Sequence, residues 1–189
     1  MVCSTLSGGL VFELFTHGLD PDAVREAKNV LRLFSPEEVK TRSVDEIPRD
    51  YLNRLRSQYD GFLVAKWLAT LRLVSGSIVV GVLNVDAYVE PLNFIFGLAL
   101  PALNTATVYV TRLRSWASRD LFLARVRKEV VHELGHVFGL EHCRERRCVM
   151  SFSNSLAEVD RKDYRMCGLH YTELRRRVPN VGGELRLPP

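Results

Sequence analysis

His132, Glu133 and His136 fall within five residues, and His142 follows six further on, so three imidazoles and a carboxylate sit at a spacing that can hold and use a metal ion. On an α-helix, residues four apart lie one above the other, so His132 and His136 present two nitrogens to one side of the cylinder. Glu133 is rotated off that side by one position, poorly placed as a ligand but within reach of a water beside the metal, which is where a general base belongs. A helix continued past His136 would carry His142 away. Gly139 lies between them and can take the φ > 0 conformation that ends a helix, so His142 can return as a third ligand. Three histidines leave a coordination position open, the mark of a catalytic rather than a structural zinc. The competing reading is a helix with two solvent-facing histidines and an incidental glutamate. A bare H-E-x-x-H leaves that open, whereas the added glycine and third histidine at fixed offsets argue strongly against it.

A second constellation follows at once. Cys143, Cys148, Cys167 and His170 offer three thiolates and an imidazole with four, eighteen and two intervening residues. That set can close a tetrahedral zinc site; the alternative is buried or incidental cysteines. His142 and Cys143 are neighbours but serve different metals if their side chains diverge. Met150, eight residues past His142, would alone read as core filler. Cys3 reads as an isolated thiol near the terminus.

The string from His132 to His142 is the metzincin signature. Its continuation through Cys143, Cys148, Val149 and Met150 to Cys167 and His170 resembles the archaemetzincin family. So do Cys-Val-Met-Ser-Phe-Ser-Asn-Ser-Leu at 148–156 and Asn-Phe-Ile-Phe-Gly-Leu-Ala at 93–99. The specific motifs span residues 78–170; the first third of the chain agrees only in pattern. The chain departs from the family in ending its cluster with His170 where C-x-x-C is usual, and in a slightly shorter gap from Met150 to Cys167. The resemblance implies a zinc metallopeptidase with a catalytic zinc on His132, His136 and His142, Glu133 as base, and a structural zinc on Cys143, Cys148, Cys167 and His170. It also implies that Met150 forms an apolar floor beneath the catalytic zinc without ligating it. Residues 94–99 become the sheet edge above the cleft, where an extended peptide adds by main-chain hydrogen bonds. Tyr164 and Tyr171 are candidates for a proton donor or oxyanion partner, and nothing in the spacing selects one.

The ligands need a rigid support. Residues 10–15 read as a buried first strand between glycines, and 21–34 as an amphipathic helix with Asp20 as cap and Pro21 in its first turn. Residues 39–44 form a weaker, polar edge strand. Pro48 opens a second helical region lined by Tyr51, Leu52, Leu55, Tyr59, Phe62, Leu63, Ala65, Leu68 and Leu71, with an interruption near Gly61. Residues 78–83, apolar on consecutive positions, suit a central strand covered on both faces. Runs at 94–100 and 107–110 add strands. The zinc helix starts near 118–120 and ends at Gly139, anchored by Leu121, Ala124, Val130, Val131, Leu134 and Val137. The expected fold is therefore a zincin-like α/β (mixed α+β) domain, with a twisted mixed sheet of about five strands. It divides into residues 1–139 and a zinc-stapled lobe, 140–189, too small to bury a core of its own. Residues 181–189 read as an extended, disordered tail.

The apolar fraction of 47% in 189 residues is that of one globular domain. The net charge of +4 comes with only short arginine runs and no recognition motif, so a solvated basic face is favoured over a nucleic-acid surface. No secretory signal and no membrane-length apolar run is evident, and three of the four cysteines fall in the metal-like cluster, which suits a reducing, cytoplasmic compartment. The expectation is a monomeric enzyme acting on a peptide or protein substrate with two Zn2+ per chain. The rival is a zinc-stabilised peptide-binding protein with little or no turnover.

Overall fold

The computed structural model describes residues 10–188, leaving Cys3 and Pro189 outside it. The first strand, β1 (Phe12–His17), lies two residues later than the apolar run suggests. Helix α1 (Pro21–Phe34) begins as expected, with an Asp20 carboxylate oxygen accepting from the Ala23 amide at 2.9 Å. Strand β2 (Lys40–Ser43) is the polar edge strand.

The helical reading of the region opened by Pro48 holds after the interruption near Gly61 and is corrected before it. A 3-10 turn (Arg49–Tyr51) leads into β3 (Leu52–Asn53) and β4 (Gln58–Asp60), and only then α2 (Gly61–Thr70). Local polar groups override the apolar spacing. Asn53 accepts from the amides of Leu55 and Arg56, Ser57 takes φ 54°, and Asp60 caps α2 through the amides of Phe62 and Leu63.

Next come β5 (Ile78–Leu83), buried throughout, β6 (Ala87–Tyr88), β7 (Gly97–Leu100) and β8 (Thr105–Tyr109). Helices α3 (Arg119–Val137), α4 (Leu156–Arg161) and α5 (Gly168–Arg177) complete the order. The main sheet runs β2-β1-β5-β8-β7, with β7 antiparallel at one edge, as the expectation of a five-stranded mixed sheet requires. A small second sheet, β3-β4-β6, was not foreseen.

Alternation along the strands divides the core. Phe12, Leu14, Val80, Val82 and Val108 point to the side covered by α1 and α3, while Phe15, Val79, Leu83 and Tyr109 point to the side covered by α2. The first cluster continues into Val159, Met166, Tyr171, Leu174, Val178, Val181 and Leu185, so the segment after Gly139 shares the main core and does not depend on a staple alone. The tail is corrected too. Val181 and Leu185 are buried, Gly182 donates to the Leu33 carbonyl at 2.7 Å, and Leu187 donates to Met166 at 2.8 Å. Each such buried aliphatic side chain contributes about 1.5–3 kcal/mol, enough to hold a short segment down. Among the described residues no helix is long and apolar enough to cross a membrane.

Candidate metal centre and cleft

Helix α3 starts on Ser118, whose hydroxyl accepts from the Leu121 amide, and ends where Gly139 takes φ 78°. The amide of Gly139 then reaches the His136 carbonyl and that of Leu140 reaches Gly135, a left-handed helix stop that turns the chain back. This turn returns His142 to the other two histidines.

The Nε2 atoms of His132 and His136 are 3.1 Å apart, and those of His136 and His142 are 3.2 Å apart. Nδ1 of His132 lies 2.7 Å from the Val149 carbonyl, and Nδ1 of His136 lies 2.8 Å from the Leu140 carbonyl. A carbonyl only accepts, so both Nδ1 atoms carry protons and both Nε2 atoms direct lone pairs at one point. Lone pairs this close repel one another unless a cation sits among them. A tetrahedral zinc with Zn–N bonds of about 2.05 Å sets its ligand nitrogens about 3.3 Å apart, so the residues fit the ion. Burial, joined by the charge of Lys162, holds all three imidazoles below the usual histidine value, which favours their neutral form.

Glu133 is buried beside them, and among the described residues no group hydrogen-bonds its carboxylate. Burial, then the neighbouring Glu129 carboxylate, pushes its pKa well above the usual range, with Lys162 pulling the other way. A divalent cation among the imidazoles would also pull it down. The carboxylate rests directly on the backbone of Gly97 in the edge strand β7, where a Cβ would overlap it. Met150 is fully buried with its sulfur against Gly135, on the helix turn between His132 and His136.

The three histidines and Glu133 line a cleft of about 740 Å³, whose other wall is residues 92–99. Phe152, half exposed, sets its ring edge-on to His142 at 5.1 Å. Tyr164 and Tyr171 do not line the cleft. Tyr164 stacks with the guanidinium groups of Arg127 and Arg165, and Tyr171 is buried near Gly183.

The second cluster also assembles. The sulfurs of Cys143, Cys148 and Cys167 and a ring nitrogen of His170 lie within 4.8 Å of one another. Cys143 and Cys167 are 3.8 Å apart, far beyond a disulfide bond, and His170 Nδ1 is 3.3 Å from the Cys167 sulfur. The other ring nitrogen of His170 donates to the Glu141 carbonyl at 3.2 Å, which frees Nδ1 to face the thiols. Burial pushes Cys148 up to about 12, while the His170 amide and imidazole overcome burial and bring Cys167 down to about 7. Three thiolates packed together would need a cation to hold them, so this donor set fits a metal as well.

Glu129, Lys162, Gly97 and Gly135 escaped the sequence reading. Glu129 stands one helical turn before Glu133, and Gly97 and Gly135 lie inside stretches the sequence reading quoted without assigning them a role.

A mixed sheet whose antiparallel edge strand faces a helix bearing two imidazoles and a carboxylate, with a third imidazole returned by a glycine stop, defines the zincin-like class of α/β folds. Comparison with known proteins narrows the class. The profile of Peptidase family M54 matches residues 37–176. The archaemetzincin of Methanopyrus kandleri is 44% identical over 140 residues, 73% of this chain and 77% of that one. That of Aeropyrum pernix is 51% identical over 89 residues, 47% of this chain, and the match spans only about half of that relative, 48%. The crystal structure of the Methanopyrus kandleri archaemetzincin superposes with a TM-score of 0.82 at 33% identity, covering 94% of this chain and 99% of that one. The chain belongs to the archaemetzincins, peptidase family M54, which are zinc metallopeptidases.

Proposed function

We propose that the chain hydrolyses peptide bonds, with a zinc ion on His132, His136 and His142 and with Glu133 as general base. The observation that carries this reading is the convergence of three ring nitrogens on the cleft wall, those of His132 and His142 at 3.1 and 3.2 Å from that of His136, beside a buried carboxylate with no hydrogen-bonding partner among the described residues. Zinc held there supplies Lewis acidity toward a carbonyl oxygen and toward water. Glu133 takes the proton of the attacking water and delivers it to the leaving amine. Strand β7, at the sheet edge and lining the cleft, supports an extended substrate by main-chain pairing and holds the scissile bond beside Glu133. Met150 packs the helix from below and keeps its ligand turn from shifting.

In the same reading Cys143, Cys148, Cys167 and His170 hold a second, structural zinc that ties the turn after His142 to the start of α5. The three thiols are free rather than paired, which supports a reducing, cytoplasmic setting.

A peptide-library digest with wild type and Glu133→Ala, with metal analysis on the same preparations, tests the proposal. The expected result is full zinc in both and cleavage by wild type only. Zinc loss in Glu133→Ala would make the carboxylate a ligand and overturn the mechanism. Peptide binding without cleavage by wild type would favour a binding protein.

A further inference from the structure

One side of α3 is fastened to residues 159–162 by side chains three and four positions apart. Arg125 makes two bonds of 2.7 Å to the Asp160 carboxylate, and Lys128 donates to the carbonyls of Val159 and Asp160 at 3.0 Å. Glu129 meets Lys162 at 2.9 Å. The third tie differs from the others because both side chains are nearly fully buried, 4% and 1% exposed, and both line the cleft alongside His132 and Glu133.

Glu129 stands one helical turn before Glu133, so two carboxylates are stacked on one face of α3 at the back of the cleft. Among the described residues Lys162 is the one lysine or arginine lining that cleft, so it alone supplies the balancing charge there. Nζ and the Glu129 oxygen are in contact without being aligned for a hydrogen bond, and neither atom has another hydrogen-bonding partner among the described residues. Stability does not explain such a pair. Desolvating two charges costs several kcal/mol per ion, and well-packed apolar residues often do as well or better.

We propose that Lys162 is a positioning residue for the reaction, holding the carboxylate face of α3 so that Glu133 stays aimed into the cleft. The role rests on Glu133 being the base. Lys162 touches neither substrate nor metal in this reading. It ties Glu129, and through it the helix turn that carries Glu133, to residues 159–162, so that Glu133 keeps its seat on Gly97.

The test is a cycle of Lys162→Met, Glu129→Gln and the double variant, measuring thermal midpoint, zinc content, kcat and KM on the full chain. Each single change strands a buried charge and destabilises the fold, whereas the double change removes both charges and restores the midpoint. The expected result is that the restored double variant keeps its zinc and its KM within about threefold while kcat falls by about tenfold or more. Lys162→Arg, which keeps the charge, should recover most of that loss. Recovery of kcat together with the midpoint in the double variant would make the pair merely structural and overturn the proposal. Loss of zinc from the folded double variant would overturn it too, since Lys162 would then support the metal ligands. Should the double variant not fold, Lys162→Met with Glu129→Met, which buries neither a charge nor a hydrogen-bonding group, is read by the same criteria. Absence of wild-type turnover in the same assay would remove the base that Lys162 serves and sink both readings, whereas active wild type with an unimpaired double variant sinks only this one.

Discussion

The carboxylate of Glu133 rests on the bare backbone of Gly97, so the base of the cleft and its edge strand are in direct contact with no side chain between them. Gly97 pairs with Val108 across the antiparallel edge. Any side chain at 97 on that face must displace the carboxylate or the strand.

Gly97→Ala is therefore expected to fold and bind zinc but to lose activity by about 10–100-fold, because a misplacement near 1 Å at a reacting group costs that order. Steady-state kinetics with zinc analysis check this. Wild-type kcat in Gly97→Ala would mean that Glu133 is free to move aside without consequence.

The two metal sites should part company under chelation. On the proposed assignment the histidine site would keep an open position and neutral ligands, while the cysteine site would be closed by three thiolates. A chelator should abolish activity with little change in far-UV circular dichroism, and should release the second metal only under harsher treatment. Timed metal release beside activity measures both.

His170→Ala should weaken the second site and expose the segment after His142 to proteolysis, whereas His170→Cys should retain a second metal. Limited digestion and zinc stoichiometry distinguish the two. An equally chelator-resistant site in His170→Ala would show that Nδ1 of His170 is not a ligand, despite lying 3.3 Å from the Cys167 sulfur.

Glu13 offers a test of stability away from the cleft. Its buried carboxylate accepts from Ser77 at 2.6 Å, from the amides of Leu73 and Val74, and from Arg42. Burial raises its pKa, but those bonds and the Arg42 charge together lower it below the ordinary carboxylate value. A depressed folded pKa adds stability that is present above the unfolded value and is lost as pH falls through the folded one. Glu13→Gln should cost about 1–3 kcal/mol near neutral pH, with the gap to wild type closing in acid, as read from denaturant melts across pH. A gap that widened in acid would contradict this.

Much of the candidate site was legible because its parts are close in sequence. His132, Glu133, His136, Gly139 and His142 lie on one helix and the turn that ends it, so helical period and glycine chemistry suffice to bring them together. The cysteine cluster was legible from residue type. What failed to show was set by distant or competing contacts. Glu129 and Lys162 are joined across thirty-three positions, and Gly97 is meaningful only once β7 lies on α3. Residues 51–60 imitate a helix in their apolar spacing, yet Asn53 and Asp60 spend their side chains on backbone amides and break it. The tail looked free because its anchors, the backbone of Leu33 and of Met166, carry no sequence signal.

The imidazoles of His132 and His136 are oriented by main-chain carbonyls, those of Val149 and Leu140, rather than by carboxylate or amide side chains. No point substitution can delete a carbonyl. Apolar replacements at 140 and 149 would leave those carbonyls in the chain, and the nitrogen turned toward the cleft would change only if the turn itself were rerouted, by insertion, deletion or loss of the Gly139 stop. The tautomer of these two imidazoles is set by the path of the backbone, and an engineer seeking to retune the proposed zinc site should reshape a turn before replacing a side chain.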